Sequence, residues 1–296
     1  MSKHKKALAE IFMASIFWGF GFIATVWAMK VFTPSLTMVY RFLISTLFGI
    51  VFLFLRNKPI LNFKKEFKLA IVAGFLLGTM LLFQAYGLET TTATKNSFIT
   101  SLYIFFVPLL AFILFRKKIY LFNIIIISIA LLGCYLLFDM KMETVLKGDF
   151  WTLLCSVLAA IHILYIGYAS KRTSDAFLFN MLQGFFALIT VSVSLFFEHQ
   201  PSYTSNNMLA WGGILFLAIF SSLIAFYLHV KSQKVISDST ISMLCLLESP
   251  FAALFAYFFL ADKLTGIQIV GTALILSAAL GQVLLEGRFV FSKQIK

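Results

Sequence analysis

Asp139-Met140-Lys141-Met142-Glu143-Thr144-Val145-Leu146-Lys147-Gly148-Asp149 is a polar connection in a chain that is otherwise almost continuously apolar. Five apolar runs precede it, at about 8–28, 35–55, 69–88, 96–115 and 119–138. Five more follow, at about 150–169, 176–197, 209–229, 239–260 and 265–285. Each approaches the roughly 20 residues a helix needs to cross about 30 Å of hydrocarbon. The ten runs hold three formally charged residues, Glu10, Arg41 and Glu248. They lack the period-two alternation of an outer-membrane barrel, and any other backbone in hydrocarbon must satisfy its hydrogen bonds as helix. The expected fold is an all-α integral membrane protein with ten spans.

Composition agrees. Of 296 residues, 61% are hydrophobic and 12% charged, against about 25% charged in soluble domains. Too few charges exist to cover a water-facing surface, which excludes soluble enzymes, disordered chains and disulfide scaffolds. Cys134, Cys155 and Cys245 fall inside spans without metal-ligand spacing and read as packing residues. No cofactor or metal is expected.

The net charge of +12 reads as a topology signal. Met1-Ser2-Lys3-His4-Lys5-Lys6 precedes an apolar run from Ala7 to Met29, longer than the 7–15 residues of a signal-peptide core, so it is expected as an uncleaved first span. With the N-terminus in the cytoplasm, 18 of the 24 Lys and Arg residues lie on the cytoplasmic side. Five (Lys30, Lys95, Lys141, Lys147, Lys263) lie outside. This bias places both termini in the cytoplasm. The basic residues at 56–68 suit anionic lipid headgroups, whereas nucleic-acid binding lacks a soluble domain to carry it.

The halves, 1–140 and 148–290, share a faint pattern. Tyr86 precedes Pro108 by 22 residues and Tyr227 precedes Pro250 by 23; each proline leads to a charged turn, Arg116-Lys117-Lys118 or Asp262-Lys263, and then to a last span containing Gly133 or Gly271. Five helices per half send the second half into the membrane from the opposite side. The halves are therefore expected as inverted repeats, with a substrate site between them and alternating access as the mode of action.

In that order and spacing, several stretches resemble the drug/metabolite transporter superfamily, EamA-like branch. They are Phe17-Trp18-Gly19, Pro34 with Arg41-Phe42, Thr94 through Phe98-Ile99-Thr100-Ser101-Leu102-Tyr103 to Pro108, Ala160-Ile161-His162, Gln183, Glu198, and Leu247-Glu248-Ser249-Pro250-Phe251. The resemblance covers about 8–285 and implies export of small metabolites or amino acids. One departure is visible: Lys117 and Asp262 stand where the family often has Glu in the turns closing the fourth and ninth helices.

Glu248 is the sharpest candidate, because an intramembrane carboxylate is costly unless it is paired, hydrated or protonated. Pro250 removes a backbone donor nearby and is expected to free the carbonyl of Leu246, so Pro108 and Pro250 are hinge candidates. The residues read as binding substrate or protons are Glu248, His162, Arg41, Gln84, Gln183, Trp18, Tyr86, Tyr103 and Tyr227. For each a structural reading stands beside the functional one: amides bond between helices, aromatic rings pack, and Arg41 can snorkel outward. Gly74 and Gly78 form a small-xxx-small pair for close helix packing.

The expectation is a secondary transporter or facilitator, not an enzyme. It would export small polar metabolites, amino acids or related amines first among them, across a bacterial inner membrane, with protons as a possible coupling ion. It would act as a monomer or homodimer. The absence of a Gly-x4-Gly-Lys-Ser/Thr loop excludes ATP as the direct energy source. The alternatives are an intramembrane lipid-modifying enzyme, which would need a second convergent catalytic group, and a flippase for lipid-like substrates.

Overall fold

A computed structural model of the chain describes residues 2–56, 59–60, 62–91, 93–118, 120–137, 147–198, 203–259 and 265–294. Residues 139–146 of the central connection, and the Asp262-Lys263 turn with its acidic position, lie outside the described residues.

All the regular structure of the described residues is helical. In order it forms α1 (Lys3–Met29), α2 (Pro34–Leu55), α3 (Phe63–Thr90), α4 (Ala93–Ser101), α5 (Tyr103–Phe115), α6 (Leu121–Leu137), α7 (Lys147–Ser170) and α8 (Ala176–Ser192), which runs on as a 3-10 turn to Phe197. A composite helix follows: α9 (Met208–Phe216), a π segment (Leu217–Ile224) and α10 (Ala225–Ser232). Then come α11 (Asp238–Cys245), α12 (Glu248–Phe259) and α13 (Gly266–Gln294). Joined across their breaks, nine helices among the described residues are long and apolar enough to cross a membrane; α6, with 17 residues, is the short tenth.

The helices start where local chemistry supplies the missing partners of a first turn. Thr33 accepts from the Leu36 N–H at 3.3 Å, Asp175 from the N–H groups of Phe177 and Leu178, and Ser237 from that of Thr240. Several helices extend past the apolar runs. α1 begins at Lys3 rather than residue 8 and α3 at Phe63 rather than 69, because the flanking lysines are compatible with helix and keep their charges at the water boundary.

Close packing is set by small residues. A Cβ on Gly74 would meet Phe186 and the Gln183 carbonyl, and one on Gly78 would meet Ala187 at 3.0 Å, so the expected pair seats α3 against α8. Gly133 of α6 and Gly271 of α13 meet backbone to backbone: a Cβ on Gly133 would lie 2.8 Å from the Gly271 carbonyl oxygen.

α2 and α8 run antiparallel, and the end of each holds the start of the other. Arg56, after α2, forms a bidentate ion pair with Asp175, the N-cap of α8. Glu198, after the 3-10 turn, accepts from Thr33 Oγ1 at 2.6 Å and from the Ser35 N–H. The basic end carries further polar locks. The fully buried Glu66 accepts from Thr173, from the Ser174 hydroxyl and from backbone N–H groups at Ser174 and Asp175. Lys231 pairs with Glu10 of α1.

Candidate functional site

The site is built where helices stop being regular. α11 ends at Cys245, Leu246 and Leu247 form a turn, and Glu248 is the first residue of α12. Pro250 falls in the first turn of α12, where a missing N–H has no intrahelical partner to lose. The carbonyl of Leu246 is not left free as expected; it accepts from the Ser249 N–H at 3.0 Å. Glu248 therefore sits at a helix N-terminus in mid-bundle, where unpaired N–H groups and the helix dipole favour a negative group.

The first half repeats this with a difference. The break falls at Leu102, whose carbonyl accepts from Phe105 and Phe106, and Tyr103 opens α5. Pro108 is buried inside a continuous α5, so the structure places the interruption six residues before it, not at it. Pro108 withholds a donor only from the Ile104 carbonyl, and one missing bond leaves the neighbouring turns intact. The Tyr103 hydroxyl lies beside the Glu248 carboxyl without closing a well-formed hydrogen bond to it. The first residues after the two breaks thus face each other.

Around them is a cavity of about 790 Å³, counting its open mouth. Its lining extends from Thr25 and Leu88, near the end opposite the basic loops, down to Cys245 and His229. Of the residues proposed from sequence, Glu248, His162, Arg41, Gln84, Trp18 and Tyr103 all line it. The α3 wall is Met80, Leu81, Gln84 and Leu88, one helical face.

Three proposed residues lie off the cavity. Gln183 stands behind His162, 3.4 Å from its Nε2, and donates to Asn180 at 2.9 Å, orienting the imidazole rather than lining the space. Tyr86 is on another face of α3, hydrogen-bonded to Ser35 Oγ at 2.8 Å and packed on Trp151. Tyr227 is turned from Phe226, which does line the cavity, and packs on Phe177 and Lys231 instead. Rotation of about 100° per residue separates Tyr86 and Tyr227 from the lining faces of their own helices, whereas α8, which carries Gln183, gives no residue to the lining.

The π segment organises one wall. Widened turns leave carbonyls available, and Ser221 O accepts from Trp18 Nε1 at 3.1 Å while Leu223 O accepts from Asn180 at 3.0 Å. Ser222 Oγ accepts from Arg41 Nε at 2.7 Å. Arg41 is 5% exposed and has no carboxylate in ion-pair range among the described residues, so it does not snorkel.

His229 was not anticipated. It lines the cavity at 2% exposure, edge-on to Trp18 with ring centres 5.7 Å apart and 6.3 Å from His162. The apolar run ends at this residue, with Lys231 just beyond, whereas the helix continues to Ser232. The available signal was its spacing, three residues after Phe226 and seven after Ser222, on one helical face.

Below the cavity, toward the basic end, the halves are tied. Gln233 Nε2 donates to Ile163 O at 2.7 Å and to Asp238 Oδ1 at 3.0 Å, and Asp238 pairs with Lys117 at 2.7 Å. Lys117, standing at an expected acidic position, thus bridges the end of α5 to the start of α11. Among the described residues no group of three or more His, Cys, Asp or Glu is placed to hold a metal ion.

A multi-span helical bundle around a charged, partly enclosed cavity lined from both halves is the build of a membrane transporter. The chain belongs to the EamA-like transporter family, in the drug/metabolite transporter superfamily: the family model matches residues 5–139 and again 146–284. It is 27% identical over 278 residues to an uncharacterized transporter of Archaeoglobus fulgidus, covering 93% of this chain and 86% of that one. It is 24% identical to a WAT1-related chloroplastic protein of Arabidopsis thaliana, over 88% of this chain and 66% of the relative. A crystal structure 17% identical in sequence has the same fold, with a TM-score of 0.77 over 97% of this chain and 99% of that chain.

Proposed function

We propose that this protein is a secondary transporter or facilitator that exports small polar metabolites, amino acids and related amines first among them, across a bacterial inner membrane. Two inverted five-helix repeats, 1–140 and 148–290, alternate the access of the cavity, with both termini in the cytoplasm. The observation that carries this reading is Glu248 at a helix break, in a cavity lined from both halves. The antiparallel clasp of α2 and α8, each end capping the other's start, supports the inverted relation. The basic loops gather at the end closed by the Lys117–Asp238 and Lys231–Glu10 pairs, which supports a cytoplasmic placement of that end. The cavity's lining reaches the opposite end, as a state open to the outside requires.

Counterflow in proteoliposomes tests the reading, with labelled amino acids, amines and nucleosides at two pH values and Glu248→Gln beside the wild type. Exchange of one class, lost or made insensitive to pH in the variant, is the expected result. Absence of exchange across the panel with folded protein overturns it.

A further inference from the structure

Two side chains of the cavity wall, Arg41 and His229, keep polar atoms without a protein hydrogen-bond partner. Arg41 spends its Nε on Ser222, and the terminal nitrogens of its guanidinium have no acceptor or carboxylate among the described residues. A guanidinium stays charged at any physiological pH, so leaving it buried and unpaired is costly. His229 is buried with neither ring nitrogen hydrogen-bonded; the Gln233 amide one turn on approaches the ring without closing a bond. An unsatisfied buried polar group costs roughly as much as a lost hydrogen bond, so a native site of this kind calls for an explanation.

The two are held by one composite helix. Ser222, which fixes Arg41, and His229 are seven residues apart, about 10 Å of helical rise and two turns on the same face. Between them the wall is aromatic, with Trp18 and Phe226 at a ring separation of 5.1 Å. A cationic amine could use Glu248 and the rings, but it would leave Arg41 facing a like charge.

We propose that the cavity binds an elongated organic carboxylate: the carboxylate on Arg41, an apolar or ring-shaped body against Trp18 and Phe226, and a polar far end on His229. His229 is thereby a binding residue, and Arg41 the residue that selects carboxylates over simple amines. This rests on the transport reading above and narrows its substrate class.

The test uses three small probes and their competition in counterflow: 4-hydroxyphenylacetate, which has both ends, phenylacetate, which lacks the hydroxyl, and tyramine, which replaces the carboxylate by an ammonium. Binding to the purified full-length protein is measured by calorimetry alongside. In the wild type 4-hydroxyphenylacetate binds about tenfold or more tighter than tyramine and about threefold or more tighter than phenylacetate. Arg41→Gln removes the first preference. His229→Leu removes the second and leaves phenylacetate affinity unchanged, a result that general misfolding cannot produce. Arg41→Lys and His229→Asn, which keep a charge or a polar group, restore part of each preference.

The proposal is overturned if tyramine binds as well as the carboxylates, if no carboxylate binds the folded protein, or if either preference survives its substitution. Counterflow separates this from failure of the underlying reading. Exchange of amines or nucleosides without carboxylates leaves a transporter with a different substrate class, whereas no exchange of any solute removes the transporter as well.

Discussion

The two interrupted helices, α4–α5 in the first half and α11–α12 in the second, carry the same device with different chemistry. Each breaks in mid-bundle, each restarts with a polar residue, and Tyr103 and Glu248 meet across the cavity. In the second half Pro250 follows the break by three residues; in an unbroken helix its ring would crowd the Leu246 carbonyl, which here pairs with the Ser249 N–H across the turn. In the first half Pro108 lies deep in α5, and the break at Leu102 stands without it. A duplicated architecture has thus kept the position of the interruption while placing a carboxyl on one side only. The first half sets a hydroxyl beside the carboxyl of the second.

This asymmetry predicts the order of substitution effects. Glu248→Gln, which keeps shape and removes the ionisable carboxyl, is expected to lower substrate exchange by about tenfold or more, on the scale of hydrogen bonds to charged groups. Tyr103→Phe is expected to lower it by about two- to tenfold, the scale of a neutral partner. Rates measured in the same liposomes decide it; equal losses would mean that the two residues act as one unit and that the halves differ less than their chemistry suggests.

Next in size is the structural half of the comparison. Pro250→Ala lets α11 and α12 join, moves Glu248 off the helix N-terminus and is expected to reduce exchange several-fold. Pro108→Ala returns a donor to the Ile104 carbonyl, leaves the break at Leu102 and keeps exchange within about twofold of wild type, since the lost constraint lies within one helix. Reversal of this order would identify Pro108 as the hinge of the first half after all. Where the halves are alike, the substitutions should be alike: Gly133→Val and Gly271→Val each force the same backbone contact apart. Each should cost about 1–3 kcal/mol of stability, read as a lower melting temperature of the purified protein.

The sequence carries the number of spans, their helical nature and the charged residues inside them plainly, because hydrocarbon penalises any exception. Glu248 and Arg41 stand out for that reason, and both reach the cavity. Aromatic residues carry no such penalty and are less distinguishable in the sequence. Tyr86, Tyr103 and Tyr227 look equivalent along the chain, yet only Tyr103 faces the cavity, since what separates them is the rotation of each helix against neighbours far away in sequence. His229 was hidden by its place at the edge of an apolar run. Its role depends on Trp18 and His162, which no local pattern connects to it. The break at Leu102 is likewise silent, having neither glycine nor proline beside it.

The smallest expected effect concerns the clasp of α2 and α8, where the halves again match in position and differ in charge. At one end Glu198 meets the neutral Thr33; at the other Asp175 meets Arg56. Burial raises the Asp175 carboxyl, but the Arg56 guanidinium and the N–H groups of Leu178 and Phe177 outweigh it, and the group is held below its ordinary value of 3.8. A carboxyl whose folded value is depressed contributes stability above its unfolded value and loses it as pH falls through the folded one. Melting temperatures of the wild type and Asp175→Asn should therefore differ by a few degrees at pH 7 and converge as pH falls through the depressed folded value, where both states of Asp175 become protonated. Thr33→Val, which removes a neutral cap, should lower the melting temperature by a similar or smaller amount, and its difference from wild type should not share the Asp175 transition. A pH-independent deficit in Asp175→Asn would show that the carboxyl acts there as a cap for α8 whose amide replacement fits poorly, and the charge asymmetry of the clasp would carry no stability of its own.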